Sequence, residues 1–396
     1  MLDYHFLLDL AIILLSTKVL GIITKKVHMP QVVGALAAGL ILGPAVFGVV
    51  HESDFIKQAA ELGVIVLMFS AGIETDLNEL RKCGKASFII AMCGVLVPLI
   101  GGFCVAAAFN GGFSGLDSKT LLQNIFMGVV LTATSVSITV ETLRELGKLN
   151  SKSGTAILGA AVIDDVLGII ALTIVTSSAG ASVSIATILL KIAGFFAVCL
   201  IVGIPFYYVF NSYTKMYDTQ KRRFVIVAFA FCLILSYIAE RYFGVADITG
   251  AYIAGVVISN TVQAKYISRR FEILSYMLLS PIFFASIGIS AEVHSMSGEI
   301  IIFSIILLIT AILTKVTGCG LGALACKYSP EESLRVGVGM VSRGEVALIM
   351  ANKGAAVGLM KNIFFAPVII TVVATTMITP ILLKIVYRGK KEVQCK

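Results

Sequence analysis

The stretch GAAVIDDVLGIIALTIV, residues 159–175, places two adjacent aspartates in the middle of an apolar run. An acid at the centre of a membrane-spanning helix costs roughly 2.5–3.5 kcal/mol to insert. Neighbouring residues of a helix point about 100° apart, so Asp164 and Asp165 would face different surroundings. The pair predicts either a buried charge network or a site that takes up a cation or a proton.

The whole chain has the composition of a polytopic membrane protein. Of its 396 residues, 58% are hydrophobic and 14% are charged, against about 25% charged in a soluble domain. Such a chain has more apolar surface than a soluble fold of this size can bury, which excludes soluble enzymes, disulfide scaffolds and coiled coils. The eight cysteines form no CxxC pair and the four histidines stand at segment ends, so we expect no metal centre and no cofactor.

Apolar segments long enough to span a membrane recur along the chain. A spanning helix needs about 20 mostly apolar residues, and thirteen segments meet this condition. They lie near residues 5–24, 31–49, 57–74, 84–109, 121–141, 152–177, 182–211, 224–240, 246–261, 271–290, 298–325, 334–353 and 362–387. No polar stretch is long enough for a soluble domain, so we expect one transmembrane domain over residues 1–396.

Lysine and arginine are distributed unequally between the loops on the two sides. One side carries Lys25, Lys26, Arg81, Lys82, Lys85, Arg144, Lys148, Lys152, Lys215, Lys221, Arg222, Arg223, Lys265, Arg269, Arg270, Lys327 and Arg335. The other side carries Lys119, Arg241, Lys353 and Lys361. The positive-inside rule therefore predicts an outside N-terminus and a cytoplasmic C-terminus in the cell membrane. The net charge of +8 is explained by this topology, and we expect membrane lipid as a partner but no nucleic acid and no soluble partner.

Two parts of the chain resemble each other at a nearly constant offset. The matched stretches are VGALAAGLILG at 33–43 with TGAYIAGVVIS at 249–259, MFSAGIETDL at 68–77 with FASIGISAEV at 284–293, and VPLIGG at 97–102 with TKVTGC at 314–319. The first two pairs have an offset of 216 and the third has an offset of 217. Chance similarity of glycine-rich helices would explain one such match more easily than three.

The offset corresponds to seven apolar segments, an odd number, so the two halves must cross the membrane in opposite directions. We expect a first repeat at about 5–177, a linking helix at about 182–211 and a second repeat at about 224–387. Inverted repeats of this kind are typical of secondary transporters, which bind their substrate near the middle of the membrane.

A lysine in a different apolar segment is the expected partner of the aspartates. Lys315 has apolar stretches on both sides and lies too deep for its ammonium group to reach water easily. An Asp–Lys pair inside a membrane protein is switchable, because a cation or a proton on the acid weakens the attraction. A passive structural network is the alternative.

Polar runs interrupt two further segments at corresponding places, TATSVSIT at 132–139 and GMVSRGEV at 339–346, which are offset by about 209. Helices broken at matching places in both halves point to the ion site of a transporter, because freed carbonyls and hydroxyls coordinate cations. Intact helices with back-bonded hydroxyls are the alternative. Arg343 is expected at negative helix C-termini and Glu345 at positive N-termini. The candidate residues of these two interruptions are Thr132, Thr134, Ser135, Ser342, Arg343 and Glu345.

Two other classes of function fit the residues less well. An intramembrane aspartyl protease needs carboxylates from separate helices, whereas Asp164 and Asp165 are adjacent, and the chain has no GxGD stretch. A passive channel is usually built from several subunits around an axis, whereas an inverted repeat within one chain favours alternating access.

Taken together, these motifs resemble those of the NapA-type sodium/proton antiporters, within the cation/proton antiporter superfamily that includes NhaA and the Kef potassium-efflux proteins. The resemblance covers essentially the whole chain and rests on the aspartate pair, TKVTGCGLGAL at 314–324, SRGEV at 342–346 and the repeated glycine-rich segments. Kef-like proteins carry QD in place of the aspartate pair and append a nucleotide-binding domain, which we do not expect here. Spore-germination antiporters of similar length also resemble the chain.

The resemblance implies an NhaA/NapA-like fold with two discontinuous crossing helices, and a homodimer whose subunits have a six-helix core domain and a dimerisation domain. Asp165 would be the main acceptor of the transported Na⁺ and H⁺, and Asp164 would pair with Lys315 and release it when the ion arrives. The implied activity is exchange of Na⁺ or Li⁺ for H⁺, electrogenic and not enzymatic. Exchange of K⁺ for H⁺ stays open, because both cations take oxygen ligands.

Overall fold

The computed structural model describes residues 4–26, 29–75, 77–110, 117–178, 185–216, 221–290 and 298–388. The regular structure in these ranges is helical throughout. The helices are α1 (His5–Lys26), α2 (Gln31–Leu42), α3 (Asp54–Glu74), α4 (Leu77–Phe109), α5 (Ser118–Thr132), α6 (Val136–Glu145), α7 (Lys152–Ser178), α8 (Ile185–Met216), α9 (Lys221–Ile238), α10 (Asp247–Ser259), α11 (Ala264–Leu274), α12 (Ser280–Ile289), α13 (Gly298–Ala325), α14 (Pro330–Gly339), α15 (Glu345–Ala356) and α16 (Phe365–Tyr387). A π-helical turn follows α9, and another joins α11 to α12.

Ten helical segments of the described chain are long and apolar enough to cross a membrane. In this count α5 with α6 forms one segment, and α11 with α12 forms another. The three other predicted spans coincide with the shorter helices α2 and α10 and with the interrupted pair α14 and α15. The predicted class, an all-α polytopic membrane protein, is therefore confirmed.

The predicted span at 31–49 is helical only as far as Leu42. Gly43 takes an extended conformation, with φ −73° and ψ 178°, and its N–H donates to the Gly39 carbonyl at 2.8 Å. The residue before a proline is disfavoured in the helical region, and Pro44 follows directly. The proline therefore explains why the helix ends before the apolar run does.

Three helices, α3, α5 and α14, begin with a side-chain cap. Ser53 accepts a hydrogen bond from the Ile56 N–H at the start of α3, and Asp117 accepts one from the Thr120 N–H at the start of α5. Ser329 and Glu332 form a reciprocal capping box at the start of α14. These caps satisfy backbone donors that have no partner inside the helix.

The described helices belong to two compact units. One unit consists of Met1–Leu14, Ser53–Arg81 and Ala186–Phe284, and the other of Leu15–Glu52, Lys82–Ile185 and Ala285–Lys396. The second unit contains α5, α6, α7 and α13 to α16, and therefore all of the predicted site residues. The single-domain boundaries and the repeat boundaries that the sequence predicts remain predictions.

Close helix crossings occur at equivalent glycines of the two repeats. A Cβ on Gly39 of α2 would collide with the Ala285 carbonyl of α12, and a Cβ on Gly255 of α10 would collide with the Phe69 carbonyl of α3. Gly39 matches Gly255 at the offset of 216, and Phe69 matches Ala285 at the same offset. The same crossing is therefore built twice, once in each unit.

A second pair of equivalent crossings lies next to the polar interruptions. Gly128 of α5 leaves no room for a side chain beside the Leu99 carbonyl of α4, and Gly337 of α14 leaves none beside the Val316 carbonyl of α13. Gly128 and Gly337 are offset by 209, and Leu99 and Val316 by 217. The packing around the two interrupted helices thus follows the internal repeat.

Candidate functional site

The two aspartates lie near the middle of α7 and differ in burial. Asp164 is 2% exposed, whereas Asp165 is partly exposed. Successive side chains on a helix diverge by about 100°, which separates the environments of the two carboxylates. One acid therefore faces the protein interior and the other a more open environment.

Asp164 forms a fully buried ion pair with Lys315 of α13. The Lys315 Nζ donates to both carboxylate oxygens, at 3.1 Å to Oδ1 and 3.2 Å to Oδ2. The side chains are 1% and 0% exposed. A buried charge needs such a partner, because an isolated one would lose its hydration without compensation. The structure therefore brings together the aspartate and the lysine that the resemblance pairs.

Gly94 of α4 forms one wall around this ion pair. A Cβ at this position would lie 2.5 Å from the Cys319 Sγ, 3.7 Å from the Lys315 Nζ and 3.8 Å from the Asp164 Oδ1. A side chain at Gly94 would clash with Cys319 and lie in contact with the pair. We did not predict this residue from the sequence, because it resembles the many other packing glycines in the chain.

The predicted interruptions are present in both helices. The first separates α5 from α6 at residues 133–135, and the second separates α14 from α15 at residues 340–344. Two hydrogen bonds join them: the Ser135 N–H donates to the Ser342 carbonyl at 2.7 Å, and the Ser342 hydroxyl donates to the Ser135 carbonyl at 2.6 Å. The breaks therefore cross and satisfy part of each other's backbone.

Thr139 of α6 extends this contact between the breaks. Its hydroxyl donates to the Gly339 carbonyl at 2.7 Å and lies 2.9 Å from the Ser342 hydroxyl. The two hydroxyls contact the Gly339 carbonyl, the Ser135 carbonyl and each other. Each hydroxyl has one proton, so only two of these three contacts have a donated proton at any time. Thr139 falls inside the polar run at 132–139 but was not among the predicted residues, because the run alone does not show which hydroxyls face the second break.

Arg343 is buried in the second break, with 1% exposure. Its guanidinium donates to the carbonyls of Val341 at 2.9 Å, Leu131 at 2.8 Å and Ala311 at 3.1 Å. Leu131 is next to the last residue of α5, where helix carbonyls carry partial negative charge. The arginine thus ties the end of α5, the second break and α13 together through one positive charge.

The remaining predicted residues occupy different positions. The buried Thr132 ends α5, and its hydroxyl donates back to the Val129 carbonyl at 2.7 Å. The buried Thr134 side chain lies close to Asp164. Glu345 begins α15, but its side chain lies outside the described part of the structure.

These groups form one site. Asp164 is paired with Lys315, and the Thr134 and Arg343 side chains lie nearby. The site therefore combines the Asp164 carboxylate, two buried cationic side chains and two helix breaks, and Asp165 occupies the neighbouring position of α7. Carboxylate, hydroxyl and carbonyl oxygens are ligands for small cations, and a carboxylate also accepts a proton. The arrangement is chemically suited to binding either a cation or a proton.

Comparison with known proteins gives consistent results. Residues 11–389 match the family described as sodium/hydrogen exchanger, transmembrane. The chain is 37% identical over 393 residues to the Na(+)/H(+)-K(+) antiporter GerN of Bacillus cereus, covering 98% of each chain. It is 40% identical over 385 residues to the probable Na(+)/H(+) antiporter GerT of Bacillus cereus, covering 96% of this chain and 98% of GerT.

A solved structure has the same fold. The sodium proton antiporter MjNhaP1 from Methanocaldococcus jannaschii, solved at pH 8, matches with a TM-score of 0.69 and 18% identity over 96% of each chain. At this identity the likeness shows the fold alone. Together with the family match over most of the chain, these findings confirm the resemblance to the cation/proton antiporters, and the chain belongs to the sodium/hydrogen exchanger family of membrane transporters.

Proposed function

We propose that this protein is a secondary antiporter that exchanges Na⁺, and also Li⁺, for H⁺ by alternating access. The observation that carries the proposal is the buried Asp164–Lys315 pair beside two crossing helix breaks. The names of relatives similar over nearly the whole chain support sodium as the cation. In this proposal Na⁺ and H⁺ are the substrates, and no cofactor takes part.

Asp165 is the proposed acceptor of both the cation and the proton. It is partly exposed, so an ion from an aqueous path reaches it more easily than it reaches Asp164. When a cation binds, its charge competes with the Lys315 ammonium for Asp164 and weakens the ion pair. The oxygens of Thr132, Thr134, Ser135 and Ser342, with the charges of Arg343 and Glu345, complete the proposed site.

We propose electrogenic exchange, with two protons moved per sodium ion. The family resemblance supports this stoichiometry, and so does the full burial of Lys315 beside Asp164. If Lys315 or Asp164 exchanges a proton in each cycle along with Asp165, two protons move per sodium ion and the cycle carries net charge. If the pair is only structural, one proton moves and exchange is electroneutral.

Exchange of K⁺ for H⁺ is the second candidate function. The name of GerN, which is 37% identical to this chain, includes K⁺ as well as Na⁺. The side-chain oxygens do not separate the two cations, because selectivity depends on the size and field strength of the cavity.

The proposed setting is the cell membrane, with the N-terminus outside and the C-terminus in the cytoplasm. The loop distribution of lysine and arginine supports this orientation. The proposed assembly is a homodimer, as the family resemblance implies.

Proton flux in everted membrane vesicles tests the function. Pulses of NaCl and LiCl should dissipate a preformed pH gradient. A response to KCl would support the second candidate function, exchange of K⁺ for H⁺. Asp165→Asn should abolish the response, because an amide does not take up and release a proton at physiological pH. Asp165→Glu, which keeps the acid, is the matched control and should retain part of it. A wild-type response to sodium in Asp165→Asn vesicles would contradict the site assignment.

A further inference from the structure

Four threonines of α16 are buried with at most 2% exposure: Thr371, Thr375, Thr376 and Thr379. Three of them donate to carbonyls of α16 itself, at 2.7–2.8 Å, as threonines in helices often do. Thr376 instead donates its hydroxyl proton to the Arg343 carbonyl in the second break. It is the one member of this set whose hydroxyl bond leaves its own helix.

The Arg343 carbonyl belongs to the peptide that leads into α15. A trans peptide is planar, so its C=O and its N–H point in opposite directions. Because Thr376 holds the Arg343 carbonyl toward α16, the Gly344 N–H points away from α16. This N–H stands at the N-terminal end of α15, where helix geometry leaves donors without partners inside the helix.

Gly344 makes the orientation of this peptide sensitive to its contacts. Glycine has no Cβ and adopts many backbone conformations, so a peptide next to it rotates at low cost. Gly344 also lies against the first break, since a Cβ on it would be 2.7 Å from the Ser135 Oγ. A rotation of the peptide would therefore change how the two breaks meet.

The position of α16 supports a role in holding the breaks. This helix packs against α6, α14 and α15, which are three of the four helix halves that border the breaks. Pro380 lies within α16 and has no N–H to donate to the Thr376 carbonyl, so the helix is loosened next to Thr376. Thr376 thus contacts Arg343 from the turn of α16 that lacks one backbone hydrogen bond.

We propose that Thr376 is a positioning residue for the cation site, which acts by fixing the Arg343–Gly344 peptide and so the match between the two breaks. This inference rests on the proposed cation exchange and extends it to a helix that the sequence did not implicate. Thr376 itself need not touch the ion. Its loss should weaken cation binding more than it slows the transport cycle.

The test compares three variants in proteoliposomes given NaCl pulses at fixed pH. Thr376→Val removes the hydroxyl at nearly constant volume, and Thr376→Ser keeps it. Thr375→Val is the matched control, because its hydroxyl bonds within α16 at a neighbouring position. We expect Thr376→Val to raise the apparent KM for Na⁺ roughly 3- to 10-fold, the effect of one buried hydrogen bond, with the maximum rate within about twofold. Thr376→Ser and Thr375→Val should stay near the wild-type KM.

An apparent KM that is equal in Thr376→Val and Thr375→Val would overturn the inference, as would a fall in maximum rate alone. A second readout separates it from the proposed function. The thermal midpoint of the detergent-solubilised protein should rise with added NaCl, and Thr376→Val should need more NaCl than Thr375→Val for the same rise. If wild-type protein shows this rise but no proton flux, antiport fails while the role of Thr376 is still decided by the thermal shift.

Discussion

Two ion pairs in this protein have the same length and opposite surroundings, and both involve α7. Lys315 Nζ lies 3.1 Å from Asp164 Oδ1 in the middle of the helix, and Lys152 Nζ at its first residue lies 3.1 Å from Glu332 Oε2. The buried pair has side chains that are 0% and 1% exposed, against 41% and 20% in the pair at the helix end. Distance alone therefore does not distinguish them.

The surroundings decide what each pair contributes. The pair at the helix end is hydrated and screened, and such pairs stabilise a protein by about 0.2–1 kcal/mol. The buried pair loses far more hydration, which its mutual attraction largely offsets. Removing one partner of a buried pair leaves an uncompensated charge and costs about 3–5 kcal/mol. A small net stability suits the proposed role, in which an arriving cation competes with Lys315 for Asp164 and opens the pair.

The largest effect is expected from breaking the buried pair. Lys315→Gln should abolish transport or leave it electroneutral, because glutamine exchanges no proton and carries no positive charge to balance Asp164. Asp164→Asn should strongly reduce transport and thermal stability. The double variant should recover part of the lost stability, since no unpaired buried charge remains, but not the charge movement. Proton flux under an imposed membrane potential, with thermal midpoints measured in parallel, tests both effects.

Lys152→Gln is the matched control, because it breaks the partly exposed ion pair with Glu332 at the start of α7. It should leave the potential-dependent flux near the wild-type value. If Lys315→Gln transports like wild type and responds equally to the potential, the buried pair has no part in coupling. A wild-type rate that does not depend on the potential would refute electrogenic exchange but not antiport itself.

Arg343 is also a buried cation, but its hydrogen-bond acceptors are backbone carbonyls and not a carboxylate. Its guanidinium reaches three carbonyls on three parts of the chain, whereas the single nitrogen of a lysine cannot reach all three. Arg343→Lys should therefore lower the unfolding free energy by about 1–3 kcal/mol, which is the cost of leaving a buried polar group unsatisfied. Thermal midpoint and sodium-dependent flux should both fall.

Arg335→Lys provides the reference for that variant. Arg335 is also buried, at 3% exposure, but it lies near the end of α16, where its Nε donates to the Val386 carbonyl. Its replacement should change stability without lowering the sodium affinity. Equal losses of sodium affinity in both variants would show that Arg343 has no special place at the helix breaks.

Charges in apolar segments explain how much of the site the sequence predicts. Asp164, Asp165, Lys315 and Arg343 stand out because ionisable residues are rare in membrane spans and need a partner or a path. The two breaks were predictable for a similar reason, since polar runs at matching places of a repeat are unusual. The all-helical class followed from the apolar segments alone.

Contacts that depend on rotation and packing were not predictable in this way. The apolar residues of α7 surround both aspartates, so its pattern does not show which of them faces Lys315, and only the family resemblance assigned Asp164. Thr139, Thr376 and Gly94 resemble many other threonines and glycines in the chain. Their importance lies in partners far along the sequence, such as Gly339 for Thr139. Pairings of this kind are set by tertiary packing, which local sequence does not specify.

The smallest effect is expected at the pair between Lys152 and Glu332 at the end of α7. The pH dependence of protein stability tests whether the charge of Glu332 is stabilising. Partial burial acts to raise the pKa of Glu332, but hydrogen bonds from the Ser329 N–H and Lys152, with the Lys152 charge, lower it below its usual 4.5. A depressed folded-state pKa contributes stability at pH values above the usual pKa, and this contribution is lost as the pH falls through the folded-state pKa.

Glu332→Gln keeps a capping-box acceptor for Ser329 and removes only the charge. We expect its unfolding free energy to lie about 0.2–1 kcal/mol below that of wild type at pH 7, and this difference to shrink as the pH falls through the folded-state pKa of Glu332. Thermal midpoints measured across this pH range check the change. Glu331→Gln, at a side chain that is 72% exposed, should show no difference across this pH range. A deficit in Glu332→Gln that is as large below the folded-state pKa as at pH 7 would show that packing or capping, not charge, gives Glu332 its effect.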